Sequence, residues 1–303
     1  MAAVAQSQKR KSGSLTKNEW VAGYLFASPF IIGFLVFFAF PMLYSAWLTF
    51  YDWDLLSAPR FVGLDNFRKI VSDPLANLSL YNSAFYTIIA VPIQLVISFT
   101  LALALTQPVR FRDFYRSLFY LPIIVPLVAW AVVWQRMFHI DYGMFNIILS
   151  WFGVEPRAWL STTSLAKPAI IIMSFWYIGR QMVIFIAGLT SIPPALLEAA
   201  SIDGANGFRR IWSVVLPLMT PFIFYNLVIA IVNSFQSFVP AAIMTDGGPE
   251  NSTLFAVLYI WRQGFKFFNM GYASTLAWEF FIIVVGFTIA QFVISRRWVY
   301  YEN

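Results

Sequence analysis

The chain has 303 residues, of which 60% are hydrophobic, 19% aromatic and only 11% charged. Soluble globular domains carry about 25% charged residues, so this composition indicates a protein whose solvent is lipid. The sequence contains no cysteine, which excludes disulfides, zinc–thiolate sites and thiol catalysis. A single histidine, His139, makes neither a metal site nor a Ser-His-Asp triad. The net charge of +6 falls in short clusters between apolar runs, a pattern of membrane topology and not of nucleic-acid binding.

The N-terminal segment, residues 1–19, is rich in Lys, Ser and Gln and is predicted to be a disordered basic tail. An apolar run begins near Trp20 and continues for about 30 residues, whereas the hydrophobic region of a signal peptide has about 7–15. We therefore expect no cleavable signal peptide and interpret this run as the first membrane span.

Six apolar segments reach the roughly 20 residues that a helix needs to cross the hydrocarbon core. Together they predict an all-α integral membrane domain over residues 20–303, with a helix-turn-helix loop over about 190–217 between spans four and five. The predicted spans are about 21–50, 82–106, 117–137, 168–189, 218–244 and 272–295.

Short connections with dense Lys and Arg mark the cytoplasmic side of a membrane protein. Such clusters occur in the N-terminal tail, between spans two and three, in the 190–217 loop and after span six. Both termini and the 190–217 loop are therefore predicted to be cytoplasmic. The residues that carry this prediction are Lys9, Arg10, Lys11, Lys17, Arg110, Arg112, Arg116, Arg209, Arg210, Arg296 and Arg297.

The stretch "EAASIDGANGFRRIWSVVLPL" (198–218) is polar among apolar segments. Pro193-Pro194 suits a helix start, and Asp203-Gly204 predicts a turn in which glycine takes a positive φ. A second short helix is predicted from about Asn206. Its apolar stripe at helical spacing consists of Phe208, Ile211, Trp212 and Val215. From the residues alone, an interfacial anchor for span five and a docking element for another protein explain this stretch equally well.

A longer pattern distinguishes these interpretations. Glu198-Ala199-Ala200, three residues, Gly204, nine residues and then Val214-Val215-Leu216-Pro217 resembles the "EAA" loop of bacterial ABC importer permeases. "IDGAN" (202–206) resembles the form of this loop in the carbohydrate-uptake permeases, a family that serves maltose-type oligosaccharides and glycerol 3-phosphate. The resemblance extends over nearly the whole chain through "FVGLDNF" (61–67), "LPIIVP" (121–126) and "TDGGPENST" (245–253).

The resemblance implies the membrane-spanning permease subunit of an ATP-driven importer, which moves a sugar or oligosaccharide across the prokaryotic inner membrane by alternating access. It also implies four kinds of partner: a second homologous permease subunit, a cytoplasmic ATPase dimer, an extracytoplasmic solute-binding protein and the lipid bilayer, with no nucleic acid. The ATPase-coupling residues that it implies are Glu198, Ala199, Ala200, Asp203, Gly204, Leu216 and Pro217.

The sequence contains no Walker pattern of the form GxxxxGK[ST]. We therefore expect a transport subunit with no catalytic residues, cofactor or metal of its own, and we expect ATP and Mg²⁺ to be bound by the partner ATPase.

Polar residues inside the apolar segments predict a solute path. In span five, Asn226, Asn233 and Ser237 recur on one helical face, with amide and hydroxyl groups suited to sugar hydroxyls. Hydrogen bonding between helices is the alternative interpretation, because polar groups at membrane depth turn toward either a cavity or another helix. The predicted path residues are Arg180, Gln181, Asn233, Ser234, Gln236 and Ser237.

Arg180 in span four requires an explanation of its own, because an unpaired charge at membrane depth costs several kcal/mol. One hypothesis pairs it with Glu279, the one acid that we place inside a span. The other turns Arg180 toward the aqueous path, where it would contact an anionic solute such as glycerol 3-phosphate.

Two other functions remain open from the sequence. The first is an importer permease for glycerol 3-phosphate or a related polyol phosphate. The second is an ion-coupled secondary transporter, which would require ionisable groups in several spans and an internal repeat. An intramembrane enzyme would need a nucleophile with its base, or a set of metal ligands, and the sequence offers neither.

Overall fold

The computed structural model describes residues 17–300 of the chain. The described part is mostly helical, with one short antiparallel hairpin of β1 (Tyr51–Asp52) and β2 (Arg60–Phe61). The helices are α1 (Lys17–Phe34), α2 (Phe40–Leu48), α3 (Asp65–Ser72), α4 (Pro74–Thr106), α5 (Arg112–Tyr120), α6 (Leu127–Met137), α7 (Met144–Trp151), α8 (Thr163–Ser174), α9 (Gly179–Ser191), α10 (Pro194–Ile202), α11 (Gly207–Arg210), α12 (Leu216–Phe235), α13 (Ala256–Trp261) and α14 (Met270–Ser295).

Membrane-spanning stretches occur in the order that the sequence predicts. Four continuous helices are long and apolar enough to cross a bilayer: Glu19–Leu48, Pro74–Thr106, Gly207–Phe235 and Met270–Ser295. Two further stretches qualify if each bent pair of helices counts as one span. These are Arg112–Ile124 with Leu127–Met137, bent by 102°, and Thr163–Tyr177 with Gly179–Ser191, bent by 46°.

The third and fourth spans are broken where the sequence analysis placed continuous helices. In the third, Val125 is extended, with φ −73° and ψ 128°, directly before Pro126. Proline disfavours the helical conformation of the residue before it and provides no N–H for the next turn, so the helix stops there. In the fourth, a 3₁₀ turn over Phe175–Tyr177 separates α8 from α9.

The fifth span differs most from its predicted range of 218–244. The helix begins at Gly207 and ends at Phe235, so the second helix of the predicted helix-turn-helix is continuous with the span and not a separate short helix. A π-helical turn over Ile211–Val215 joins the two parts, with the Leu216 N–H bonded to the Ile211 carbonyl. This widened turn ends two residues before Pro217, whose ring and missing N–H disfavour a regular α-helical turn.

The second span begins at Pro74, eight residues before its predicted start at 82. Asp73 caps it, because its carboxylate accepts the N–H groups of Leu75 and Ala76 at 2.9 and 3.3 Å. Pro74 at the first helical position needs no hydrogen-bond acceptor. The local capping signal therefore determines where this helix starts, ahead of the apolar run.

The first span lies on the outside of the molecule. No side chain is buried between residues 19 and 40, which fits an apolar helix that faces lipid or another membrane subunit. The predicted disordered tail covers residues 1–19. Residues 1–16 lie outside the described part of the chain, and α1 begins at Lys17.

The buried core lies around α4, which packs against both α9 and α12. Next to the 190–217 loop, Met182, Phe185 and Met219 are fully buried between these helices. A second cluster contains Trp134 and Phe138 of the third span and its loop. Residues 225–240 follow the buried Met219 along the chain, and there the packing opens into a cavity.

Candidate functional site

The corner between α10 and α11 is built by local hydrogen bonds. The Ala205 N–H bonds to the Ala200 carbonyl at 2.9 Å, and the Gly204 N–H bonds to the Ser201 carbonyl at 3.1 Å. This is the Schellman arrangement of a helix C-terminus. Gly204 has φ +78°, a conformation that costs a residue with a Cβ roughly 1–2 kcal/mol. The predicted turn at Asp203-Gly204 is confirmed, and it is the C-cap of α10.

The start of α11 is fixed in the same way. The side chain of Asn206 accepts the N–H of Arg209 at 2.9 Å, which caps the new helix. Arg210 donates to the Ser201 hydroxyl at 2.9 Å and thereby ties α11 to α10. We call residues 194–210 the α10–α11 corner.

The predicted coupling residues lie on or directly behind this corner. Glu198, Ala199, Asp203 and Gly204 are exposed, and Ala200 is half-buried. Leu216 and Pro217 are the first two residues of α12, behind the corner, where Leu216 is half-buried and Pro217 exposed.

Large apolar side chains are also exposed at the corner. Ile202 is 87% exposed, Phe208 71% and Trp212 59%. Of the predicted apolar stripe, only Val215 is buried, because Phe208 and Trp212 turn outward and contact each other with ring centroids 5.9 Å apart. An exposed apolar patch with charged neighbours such as Glu198 is typical of a protein interaction site.

A cavity of about 610 Å³ opens among α4, α6, α8, α9 and α12 and the segment that follows α12. The structure brings all the predicted path residues together on its wall, from both the fourth and the fifth spans. These residues are Arg180, Gln181, Asn233, Ser234, Gln236 and Ser237, and Asn226 joins them.

The cavity also has polar residues that the sequence analysis missed. Gln94 on α4 donates to the Ser174 hydroxyl on α8 at 2.9 Å, and both residues line the cavity. The tyrosines Tyr86, Tyr177 and Tyr225 line it as well. An amide inside the apolar run of span two is a signal that could have identified Gln94, because polar groups at membrane depth turn toward cavities or other helices.

Several polar atoms of the cavity residues have no hydrogen-bond partner among residues 17–300. They are Nδ2 of Asn226, Oε1 of Gln181 and Oγ of Ser234. Asn226 is only 2% exposed, and a buried polar atom without a partner costs about 1–3 kcal/mol. Such atoms are expected where a ligand or water completes the hydrogen bonding.

Arg180 lies on the wall of this cavity. Within the described chain its guanidinium has no hydrogen bond and no ion pair, and it lines the cavity, where it is exposed. The proposed pair with Glu279 is wrong. Glu279 lies on α14 beside Ala76 and Tyr259, in a separate narrow space that does not include Arg180.

Close packing at the start of α9 fixes the position of Arg180. The preceding residue, Gly179, is buried directly against the backbone carbonyl of Phe119, and a Cβ at this position would overlap that oxygen. The end of the α5 helix and the start of α9 therefore approach closely, and Arg180 follows at the bend. Over the described residues, no group of three His, Asp or Glu side chains is arranged to hold a metal ion.

Comparison with known proteins identifies the chain. The family described as the inner membrane component of binding-protein-dependent transport systems matches residues 94–301. The chain belongs to this family. It is 40% identical, over 97% of its length and 96% of the relative's, to the probable ABC transporter permease protein YesP of Bacillus subtilis. It is 30% identical, over 94% of its length and 97% of the relative's, to the trehalose/maltose transport system permease protein MalF of Thermococcus litoralis.

The fold has a solved counterpart. A crystal structure of a bacterial alginate ABC transporter, in complex with an alginate pentasaccharide-bound periplasmic protein, superposes with a TM-score of 0.81. It covers 93% of this chain and 96% of its own, at 22% identity. The predicted fold class and the predicted resemblance to importer permeases are confirmed. This chain is thus an inner-membrane transport subunit of a binding-protein-dependent system.

Proposed function

We propose that this permease moves a saccharide into the cytoplasm by alternating access. The observation that carries the proposal is the cavity, whose wall offers amide and hydroxyl groups from three spans and includes the buried, unpaired amide of Asn226. Sugars present rings of hydroxyl groups that donate and accept hydrogen bonds, and unpaired polar groups select ligands that can satisfy them. Relatives named for trehalose/maltose and for lactose transport support the same solute class.

The proposed orientation places both termini and the α10–α11 corner in the cytoplasm, because short connections rich in Arg mark that side. The exposed patch of Ile202, Phe208 and Trp212 would then meet a cytoplasmic ATPase. ATP and Mg²⁺ would be bound by that ATPase, since this chain has no Walker pattern. A second homologous permease and an extracytoplasmic solute-binding protein complete the proposed importer.

The continuous helix Gly207–Phe235 supports a mechanical link between the two sites. Its first turn belongs to the corner, and its last third carries Asn226, Asn233 and Ser234 on the cavity wall. Its helical backbone continues without a break through the π-helical turn at Ile211–Val215, so the corner and the cavity wall belong to one element. A displacement of the corner when the ATPase closes would therefore be transmitted to the groups that contact the solute.

The test is ATP-dependent uptake by the complete importer, reconstituted in proteoliposomes with a panel of labelled saccharides. The variant is Glu198→Arg, which reverses an exposed charge in the corner. Its matched control is Glu155→Arg, which reverses an exposed charge in the loop between α7 and α8.

We expect saccharide uptake in the wild type and in Glu155→Arg, and loss of both uptake and ATPase association in Glu198→Arg. Uptake that persists without ATP would contradict the ATP-driven mechanism. If Glu198→Arg kept full uptake and a bound ATPase, the α10–α11 corner would serve only to anchor span five.

A further inference from the structure

The charge in the cavity is carried by one residue. Among the described residues that line it, Arg180 is the only one with an ionisable acid or basic group other than tyrosine. Neither an ion pair nor a hydrogen bond within residues 17–300 holds its guanidinium. The wall therefore combines neutral hydrogen-bonding groups with a single uncompensated positive charge.

An uncompensated cation at membrane depth is costly, because the surrounding dielectric constant is low. Its presence there therefore indicates a function. A bound anion interacts with the guanidinium more strongly than it would in bulk water, because low-dielectric walls strengthen the attraction. The cavity is thus electrostatically suited to an anionic solute.

The number of positive charges on the cavity wall indicates which kind of anion matches the cavity. One guanidinium balances one negative charge, and its planar fork of N–H donors matches a carboxylate with two parallel hydrogen bonds. A phosphate monoester carries about −1.5 to −2 at pH 7, and one guanidinium leaves part of that charge uncompensated. The carboxylate is therefore the better match.

The neutral groups that line the cavity together with Arg180 indicate what else the solute carries. Gln181 is the next residue on α9, and Asn226 and Ser234 approach from α12, each with an unpaired polar atom. Tyr225, which is 55% exposed, presents an aromatic ring to the same cavity. Amides with an aromatic face suit the hydroxyl groups and apolar faces of a sugar ring, and the volume lies within the roughly 300–1,000 Å³ of small-molecule sites.

We infer that the solute is an acidic saccharide, whose carboxylate pairs with Arg180 while its hydroxyl groups bind the amides of α9 and α12. This inference rests on the proposed function and narrows its solute class. Arg180 is then the residue that selects acidic over neutral saccharides.

The experiment uses the complete importer in proteoliposomes with three labelled probes. Digalacturonate is the acidic probe, its dimethyl ester is the neutral probe with the same skeleton, and glycerol 3-phosphate is the phosphate probe. The variants are Arg180→Gln and Arg180→Lys. The matched control is Arg68→Gln, which removes an exposed arginine that pairs with Asp65 on α3. Thermal unfolding of each solubilised permease complex, with and without probe, checks the folding of the variants and measures binding without the solute-binding protein.

We expect wild type and Arg68→Gln to prefer digalacturonate to its ester. Arg180→Gln should lower digalacturonate uptake by about 10- to 100-fold, as expected for a lost hydrogen-bonded charge partner, with ester uptake and unfolding temperature unchanged. Arg180→Lys should retain part of the preference.

Five results would overturn the inference. Equal uptake of acid by Arg180→Gln and wild type would remove Arg180 from recognition, and equal loss of acid and ester would make its role structural. Preference for glycerol 3-phosphate would assign the site to phosphate. Uptake of neutral saccharides alone would reject the acidic solute and leave the proposed function intact, whereas uptake of no saccharide would reject both.

Discussion

The hydroxyl of Tyr272 donates a 2.6 Å hydrogen bond to Oδ2 of Asp73, 199 positions earlier in the chain. The hydroxyl of Tyr259 donates to the same oxygen at 2.5 Å. Because the other carboxylate oxygen caps the first turn of α4, one side chain fixes the starts of α4 and α14 and the middle of α13 to one another. This carboxylate is therefore a structural centre of the bundle, and it is not among the residues that line the cavity.

The bonding of Asp73 predicts a pH dependence. Burial opposes ionisation, but the hydrogen bonds from Tyr259, Tyr272 and two backbone N–H groups outweigh it and hold the pKa of Asp73 below its ordinary value of 3.8. A lowered folded-state pKa contributes stability that is complete above pH 3.8 and disappears as the pH falls through the folded-state value.

Asp73→Asn should lower the thermal unfolding temperature of the solubilised protein at pH 7, with a loss of about 1–3 kcal/mol for the charge-assisted bonds. The difference from wild type should shrink below pH 3.8, where the native carboxylate also becomes protonated. Asp65→Asn is the control, because its carboxylate makes an exposed pair with Arg68. If Asp73→Asn lowered the unfolding temperature by the same amount at all pH values, the shape of the Asp73 side chain, and not its charge, would hold the three helices together.

Gly204→Ala tests the backbone of the α10–α11 corner. A Cβ at Gly204 would meet no atom within 4 Å, so the cost comes from the φ of +78° alone, about 1–2 kcal/mol. We expect faster hydrogen exchange over residues 200–210 and weaker association with the ATPase. Gly207→Ala is the matched control, since Gly207 has the same open surroundings without a positive φ and should leave exchange unchanged. If the two substitutions had equal effects, the left-handed conformation of Gly204 would not be the cause of the faster exchange.

Gly179→Ala tests the packing that places Arg180. The added methyl group would overlap the carbonyl oxygen of Phe119, which does not give way as a flexible side chain would. Overpacking of this kind costs about 1–3 kcal/mol and displaces the backbone. Both the unfolding temperature and solute uptake should fall. Gly286→Ala on α14 is the control, because a Cβ there meets nothing within 4 Å; a Gly179→Ala protein as stable as this control would refute the close approach.

The sequence predicts the spans well because the length of an apolar run is a local property that the bilayer thickness dictates. It also predicts the polar corner, since Pro194, Gly204 and Asn206 specify helix ends through their own backbone preferences. The break at Val125-Pro126 depends on the same local rule, and the analysis of hydropathy alone overlooked it.

The rotation of each helix could not be predicted in this way. Glu279 lies on α14, which is apolar on all sides, so no amphipathic stripe indicates which face turns inward. The proposed pair with Arg180 failed for this reason. The amide of Gln94 inside an apolar run is a sequence signal, but its place on the cavity wall follows from the packing of α4 against α9 and α12.

Substitutions of two buried asparagines distinguish a role in solute binding from a role in stability. Asn226 lines the cavity with an unpaired Nδ2, whereas Asn82 on α4 donates from Nδ2 to the carbonyls of Asn251 and Leu254 at 2.9 and 3.0 Å. Leucine has a similar shape to asparagine and removes the polar atoms. Asn226→Leu should therefore leave the unfolding temperature equal or higher, because an unpaired buried donor costs about 1–3 kcal/mol, and should reduce solute uptake. Asn82→Leu should lower the unfolding temperature, because it leaves two carbonyl groups without a donor. If Asn226→Leu instead lost stability and kept its uptake, the Asn226 amide would be a bond between helices and not part of the solute site.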